Sequence, residues 1–297
     1  MPEVKRVRFG ANPIIWSNDD LRELGAGTTL ETCLAQAHAI GFEGMELGHK
    51  FPREPRALAA VLGRHHLQCI SGWYSAELLV WGAREELTRL KPHLALLQAM
   101  GSEVLVFAEV TGAVHADVKR PLAERPVLTA RDWRELGARL TEVAAATAAA
   151  GVRLAYHHHM GTVVQSEADI DALMQATGPE VGLLLDTGHA AFAGADPAAL
   201  ARRYAERIVH LHAKDLRAEV AAAARRGNSS FLEAVLQGVF TVPGDGSVDF
   251  GAVFGALPDY SGWLVLEAEQ DPALADPVTY ATLGLRTLRS LVARGGT

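Results

Sequence analysis

The chain is poor in cysteine: Cys33 and Cys69 are the only two among 297 residues. Two thiols cannot make a disulfide framework, and their scarcity fits a reducing compartment. Positive charge is also short, since 28 Lys and Arg against 35 Asp and Glu give a formal net charge of −7. Basic clusters run no longer than Arg202-Arg203 and Arg225-Arg226. That pattern lacks the basic stripe of a nucleic-acid binder and argues against an anionic membrane as partner. No apolar run approaches the roughly 20 residues that span a bilayer. The first ten residues, Met-Pro-Glu-Val-Lys-Arg-Val-Arg-Phe-Gly, lack the apolar segment of a signal peptide, so a cytoplasmic protein is expected. No stretch rich in Gly, Pro or Ser divides the chain, and residues 1–297 read as one domain. The dinucleotide fingerprint G-x-G-x-x-G does not follow the first apolar run, which weighs against a doubly wound sheet.

What is present is a composition 49% hydrophobic, enough for a large core. Short apolar runs alternate with stretches of helical period along the whole chain. The runs Val7–Pro13, Glu43–Gly48, Leu67–Trp73, Glu103–Glu109, Val152–His158, Val181–Asp186, Ile208–His212 and Trp263–Glu267 read as strands. Their near-continuous Val, Leu and Ile suit parallel strands covered on both faces. Helical patterns lie at Thr28–Ile40, Pro55–His66, Glu85–Met100, Ala130–Ala150, Glu167–Ala176, Pro197–Tyr204, Phe250–Leu257 and Pro272–Arg294. Thr28-Thr29 and Ser166 supply start signals, and Gly151 stops the Ala-rich stretch Val143–Ala150. Eight strands alternating with eight helices predict an α/β fold, a (β/α)₈ TIM barrel. The long connections Val110–Thr129 and Ala213–Val248 follow the fourth and seventh strands, on the face where such barrels build active sites. They are expected to cover a substrate, with a short helix at Phe231–Gln237.

Polar residues gather where the later strands end: His157-His158-His159, Asp186-Thr187-Gly188-His189, His210-Leu211-His212-Ala213-Lys214-Asp215, and Glu267-Ala268-Glu269-Gln270-Asp271. A barrel would bring these four clusters to one mouth. His157, Asp186, His212 and Glu267, one from each strand, form an N₂O₂ set suited to a borderline divalent ion such as Mn²⁺, Co²⁺ or Zn²⁺. By strand alternation His158 points away from the mouth. Earlier strands offer Asn12, Trp16, Glu46, His49, Trp73, Tyr74 and Glu109. Trp16 and Trp73 could wall a sugar ring or close the barrel top as core.

The chain resembles the xylose-isomerase-like TIM barrels and, within them, the inosose dehydratase family. Carrying the resemblance are Gly10-Ala11-Asn12-Pro13-Ile14-Ile15-Trp16-Ser17-Asn18-Asp19-Asp20, Tyr156-His157-His158-His159-Met160-Gly161-Thr162, Asp186-Thr187-Gly188-His189 and His210-Leu211-His212-Ala213-Lys214-Asp215. Phe240-Thr241-Val242-Pro243-Gly244-Asp245-Gly246 and Glu267-Ala268-Glu269-Gln270-Asp271-Pro272 complete it. The resemblance implies dehydration of 2-keto-myo-inositol (2-inosose) to a trihydroxycyclohexane-1,2-dione in inositol catabolism. It implies Mn²⁺ or Co²⁺, and it alone adds glutathione as a cofactor. The superfamily's ketose isomerases and epimerases carry a glutamate at the end of the fifth strand. Here His157 stands there, which favours elimination over epimerisation, although a slip in alignment would make His159 the ligand instead.

The expected mechanism removes an α-proton from a small polyhydroxy ketone and expels a β-hydroxyl. Glu267, His157, His159 or His189 is the expected base, with a histidine as acid. Lys214, held by Asp215, is expected to add positive charge near the developing oxyanion. Asn12, Trp16, Trp73, Glu109, Asp215 and Glu269 are expected around the substrate. A ketose or inosose isomerase or epimerase on the same metal site is the alternative. A phosphodiesterase would need a basic face and more ligands, and a sugar-binding barrel would need no acid–base groups. The sequence leaves oligomeric state open, a homo-oligomer being allowed.

Overall fold

The computed structural model describes residues 7–295. Residues 1–6, on which part of the amino-terminal reading rests, lie outside that range. The strands are β1 (Val7–Ala11), β2 (Gly44–Leu47), β3 (Gln68–Ala76), β4 (Val104–Glu109), β5 (Arg153–His157), β6 (Gly182–Asp186), β7 (Ile208–Ala213), β8 (Asp215–Leu216), β9 (Phe240–Thr241) and β10 (Gly262–Leu266). Eight of them close a barrel in the order β1-β10-β7-β6-β5-β4-β3-β2, with every neighbouring pair parallel. β8 and β9 form a separate antiparallel ladder. Among the described residues no helix is long and apolar enough to cross a membrane.

Alternation along each strand sorts the core and positions the site. Leu154, Tyr156, Leu183, Leu185, Leu264 and Leu266 face outward into the large cluster under the helices. Their neighbours Ala155, Leu184 and Val265 face inward and plug the barrel. One step of two further along each strand, His157, Asp186 and Glu267 therefore also face inward, above that plug. On β7 the same result needs a register shift: Ile208 pairs with Leu183 but His210 with Leu184, so His212 comes level with Asp186. A hydrophobic plug crowned by polar residues at the carboxyl strand ends is the usual layout of this fold.

Most helix starts follow side-chain caps legible in the sequence. Thr29 accepts from the Thr32 N–H, and Ser166 and Thr129 form capping boxes with Asp169 and Asp132. Several boundaries differ from the sequence reading. The first strand ends at Ala11 because Pro13 opens a 3₁₀ turn, Pro13–Ile15. The third runs on to Ala76 and a one-turn helix follows at Leu78–Trp81. The last helix starts at Pro277.

The long segment after β7 holds the expected short helix and more structure besides. It folds into helices Ala218–Gly227 and Phe231–Leu236 plus the β8–β9 ladder, with Phe231, Leu232, Val235 and Phe240 in a small core of their own. The loop after β4 leans on it through Leu122 N–H to Ser229 O at 3.1 Å, and on the β5 loop through Val114 N–H to Gly161 O at 2.9 Å. Together these segments roof part of the mouth.

Candidate active site

His157, Asp186, His212 and Glu267 each offer one donor atom, all within 4.8 Å of one another, and all four residues are buried. Asp186 Oδ2 lies 3.7 Å from His157 Nε2 and 3.6 Å from His212 Nδ1, and Glu267 Oε2 lies 2.7 Å from His212 Nδ1. Neither Asp186 Oδ2 nor His212 Nδ1 has a hydrogen-bond partner among the described residues.

The surroundings fix which ring nitrogens face inward. His157 Nδ1 is 2.6 Å from His158 O, so it carries the proton and leaves Nε2 as the lone-pair nitrogen. His212 Nε2 donates to Glu46 Oε1 at 3.2 Å, leaving Nδ1. Nδ1 lies 2.7 Å from Glu267 Oε2, so a cation belongs between them, either a proton on the imidazole or a metal ion that replaces it. The donor set therefore fits a divalent metal ion, with Glu46 supplying the carboxylate behind a ligating histidine. Burial opposes charge on His212, but Glu267 and Glu46 outweigh it and hold its pKa well above the ordinary value. Burial likewise opposes charge on Glu267, yet His212 and Lys214 hold it well below the carboxylate range.

Glu46 is a member of the site that sequence reasoning ranked only as weaker material. Its Oε1 also accepts from His210 Nε2 at 2.8 Å, and its Oε2 from Asn12 Nδ2 at 2.8 Å. Residues 164 and 166 positions away meet it only because β2 and β7 face each other across the closed barrel. His158 points out of the mouth as alternation predicts, yet it is fully buried, and its Nε2 accepts from the Asp186 N–H at 3.2 Å. Neutral His158 thus pins the backbone at Asp186, and burial lowers its pKa to about 4.

A pocket of about 190 Å³ opens above the set, lined by Asn12, Trp73, His115, His159 and Glu269 together with His157, His212 and Glu267 of the set itself. Trp73 packs edge-on to His157 and His159, at centroid distances of 5.3 and 5.5 Å, and stands in the pocket lining. His159 donates Nδ1–H to Met160 O at 2.8 Å, leaving Nε2 as its basic nitrogen. Burial, followed by the charges of His115 and Lys214, holds its pKa well below the ordinary value. Glu269 is pushed up to about 7, chiefly by burial, and its Oε2 has no partner among the described residues. His115 and Asp20, from loops, also line the pocket and were missed, since neither lies in a strand-end cluster. A larger recess of about 480 Å³ lies at the opposite, amino-terminal strand ends, lined by Glu103, Arg153 and Tyr260.

The expected positions Trp16, Glu109, His189, Lys214 and Asp215 fall outside the pocket lining. Trp16 is 1% exposed and belongs to the core, with its indole N–H on Gln36 Oε1 at 2.7 Å. Glu109 accepts from the Leu78 and Thr111 N–H groups at 2.6 and 2.9 Å and so closes loop backbone. Asp215 does not hold Lys214. Its carboxylate accepts the backbone N–H groups of Leu216, Gly244, Gly246 and Val248 at 2.8 to 3.1 Å. A side chain at Gly246 would sit 2.3 Å from that carboxylate, which explains the glycine. His189 lies beneath the pocket, its Nε2 3.0 Å from Lys214 Nζ. Lys214 itself is fully buried, 2.5 Å from Glu267 Oε1 and 2.7 Å from Glu269 Oε1. Its three donors are taken by these groups and His189, so it organises the carboxylates and does not face an oxyanion.

The family described as xylose isomerase-like TIM barrel matches residues 34–291. The rhizopine catabolism protein MocC of Rhizobium meliloti is 46% identical over 292 residues, covering 98% of this chain and 90% of that protein. The inosose dehydratase of Geobacillus thermodenitrificans (strain NG80-2) is 42% identical over 288 residues, covering 96% and 97%. Among solved structures, the IolI protein with a bound zinc atom superposes with a TM-score of 0.69 at 15% identity, over 97% of this chain and 98% of that one. The probable 3-DHS dehydratase AsbF of Bacillus anthracis gives 0.66 at 15%, over 95% and 98%. At those identities the two structures speak for the fold.

Proposed function

The chain belongs to the xylose isomerase-like TIM-barrel family and, within it, to the inosose dehydratases, and from that premise we propose that it dehydrates 2-keto-myo-inositol to a trihydroxycyclohexane-1,2-dione. The observation that carries the reading is the buried His157–Asp186–His212–Glu267 set at the floor of a pocket that also presents His159 and Glu269. His157 Nε2, Asp186 Oδ2, His212 Nδ1 and Glu267 Oε2 would hold a divalent ion, and the mixed nitrogen and oxygen donors suit Mn²⁺ or Co²⁺. When bound, such an ion supplies Lewis acidity at the ketone, which raises the acidity of the α-proton.

The residues of the chain do the rest. Trp73 offers an apolar wall to the carbon face of the ring. Neutral His159, its other nitrogen pinned on Met160 O, takes the α-proton at Nε2. Glu269, protonated up to about pH 7, gives its proton to the departing β-hydroxyl, which leaves as water. Two neighbouring groups whose surroundings set their proton affinities apart are the mark of an acid–base pair. Their donor atoms belong to one cluster with His189, within 4.8 Å, so proton removal and hydroxyl departure share one side of the pocket. Water is lost with no change of oxidant or reductant, and glutathione enters none of these steps.

Incubation with 2-keto-myo-inositol and with several ketoses, followed by mass spectrometry, tests the assignment. Loss of one water from the inosose supports it. Interconversion of substrates without loss of water would transfer the site to an isomerase or epimerase.

A further inference from the structure

A second donor group, His159, His189 and Glu269, lies beside the first, with its atoms again within 4.8 Å of one another and all three residues buried. Lys214 Nζ is 2.7 Å from Glu269 Oε1 and 3.0 Å from His189 Nε2, so it already touches two of the three. It is also 2.5 Å from Glu267 Oε1 and 3.5 Å from Asp186 Oδ2. Glu267 is therefore shared: Oε2 approaches His212 Nδ1 in the first group and Oε1 holds the ammonium. Carboxylates that bridge two cations in this way are what a two-metal site uses.

The seat is shaped for a lysine stem. A side chain at Gly188 would lie 2.6 to 2.9 Å from Lys214 Cγ, Cδ and Cβ, so the glycine gives the methylenes their channel. The Phe240 ring faces the ammonium at 4.7 Å from its centroid. Thr187 Oγ1 donates to Lys214 O at 2.7 Å and accepts from Lys214 N at 3.1 Å, which fixes the backbone. Charge agrees with geometry. With Glu269 protonated, Asp186, Glu267 and Glu46 set three negative charges against the one ammonium. One divalent ion balances what remains, and a second would leave buried positive charge uncompensated.

Resting on the metal reading above, we infer that Lys214 is a built-in cation in the place of a second metal ion. It limits the site to one divalent ion per chain and orients Glu267 and Glu269 as a positioning residue. Loss of the ammonium opens His159, His189 and Glu269 to a second ion.

Titration of the full chain with Mn²⁺, followed by bound-metal content and electron paramagnetic resonance, tests this independently of any substrate. The wild type takes one equivalent and shows an isolated Mn²⁺ signal. Lys214→Ala takes two, with a spin-coupled signal, and adding His189→Ala to it restores one. In the wild-type background His189→Ala still binds one equivalent, an expectation that survives even if Lys214→Ala does not fold. Two equivalents in the wild type, loss of the ion on His189→Ala alone, or a folded Lys214→Ala that binds only one would overturn the inference. No bound ion in the wild type would instead overturn the metal reading itself, and the inference with it.

Discussion

Glu269 and His159 are buried in one pocket wall, yet burial acts on them in opposite senses, keeping a proton on the carboxyl and off the imidazole. An acid must be protonated to act, so turnover should decline as pH rises through about 7, where Glu269 loses its proton. Glu269→Gln should lower kcat by about 10²- to 10⁴-fold and remove that alkaline decline. A variant that kept the same alkaline limb would assign it to another group. The residue scale is also where sequence reading was least complete. His157, Asp186, His212 and Glu267 were legible because each ends an apolar strand at the inward parity. Glu46 was visible as a strand-end carboxylate, but its role was not, since its partners lie across the barrel. Nor were His115 and Asp20, which reach the pocket from loops with no periodicity. Lys214 and Asp215 were visible as polar neighbours, but only packing shows that one binds carboxylates and the other loop amides.

At the scale of elements, β5 is tied to β6 beneath the site by His158, whose neutral Nε2 accepts the Asp186 N–H. Its folded pKa of about 4 lies below the ordinary 6.5, so between those values the unfolded chain binds the extra proton. Stability should therefore be retained above pH 6.5 and fall as pH drops toward 4, by up to about 3 kcal/mol from this group. Urea unfolding of chelated protein across that range should show a shallower acid-side loss in His158→Gln, which keeps an acceptor but does not titrate. Equal slopes would remove His158 from the explanation. The segment after β7 makes a second case. Asp215→Ala strands the amides of residues 216, 244, 246 and 248, at a cost of about 3 kcal/mol. Limited proteolysis should then cut within residues 216–248 while the barrel stays intact. Of the segment's two helices the sequence showed only the one after Ser230, because the buried face of Ala218–Gly227 is made of alanines and offers no large apolar residue to mark it.

For the molecule as a whole, alternating apolar runs and helical periods were enough to give the barrel and the strand ends where the candidate site gathers. The strand order follows from right-handed crossovers between consecutive parallel strands, which leave little choice of topology. Closing the barrel is also what concentrates three buried carboxylates near one ammonium, so the apoprotein carries uncompensated charge that an ion relieves. A bound ion at about 100 times its dissociation constant adds roughly 2.7 kcal/mol, which for a chain of this size raises the thermal midpoint by about 5 °C. That rise should vanish in His212→Ala.

The most direct measurement is absorbance of the enolised dione from 2-keto-myo-inositol. Protein stripped by chelator is reloaded separately with Mn²⁺, Co²⁺, Mg²⁺ or Zn²⁺. Expected is a silent apoprotein, recovery with Mn²⁺ or Co²⁺, and no recovery in Glu267→Gln. Full turnover by the chelated protein, or unchanged turnover by Glu267→Gln, would contradict metal-assisted dehydration at this site.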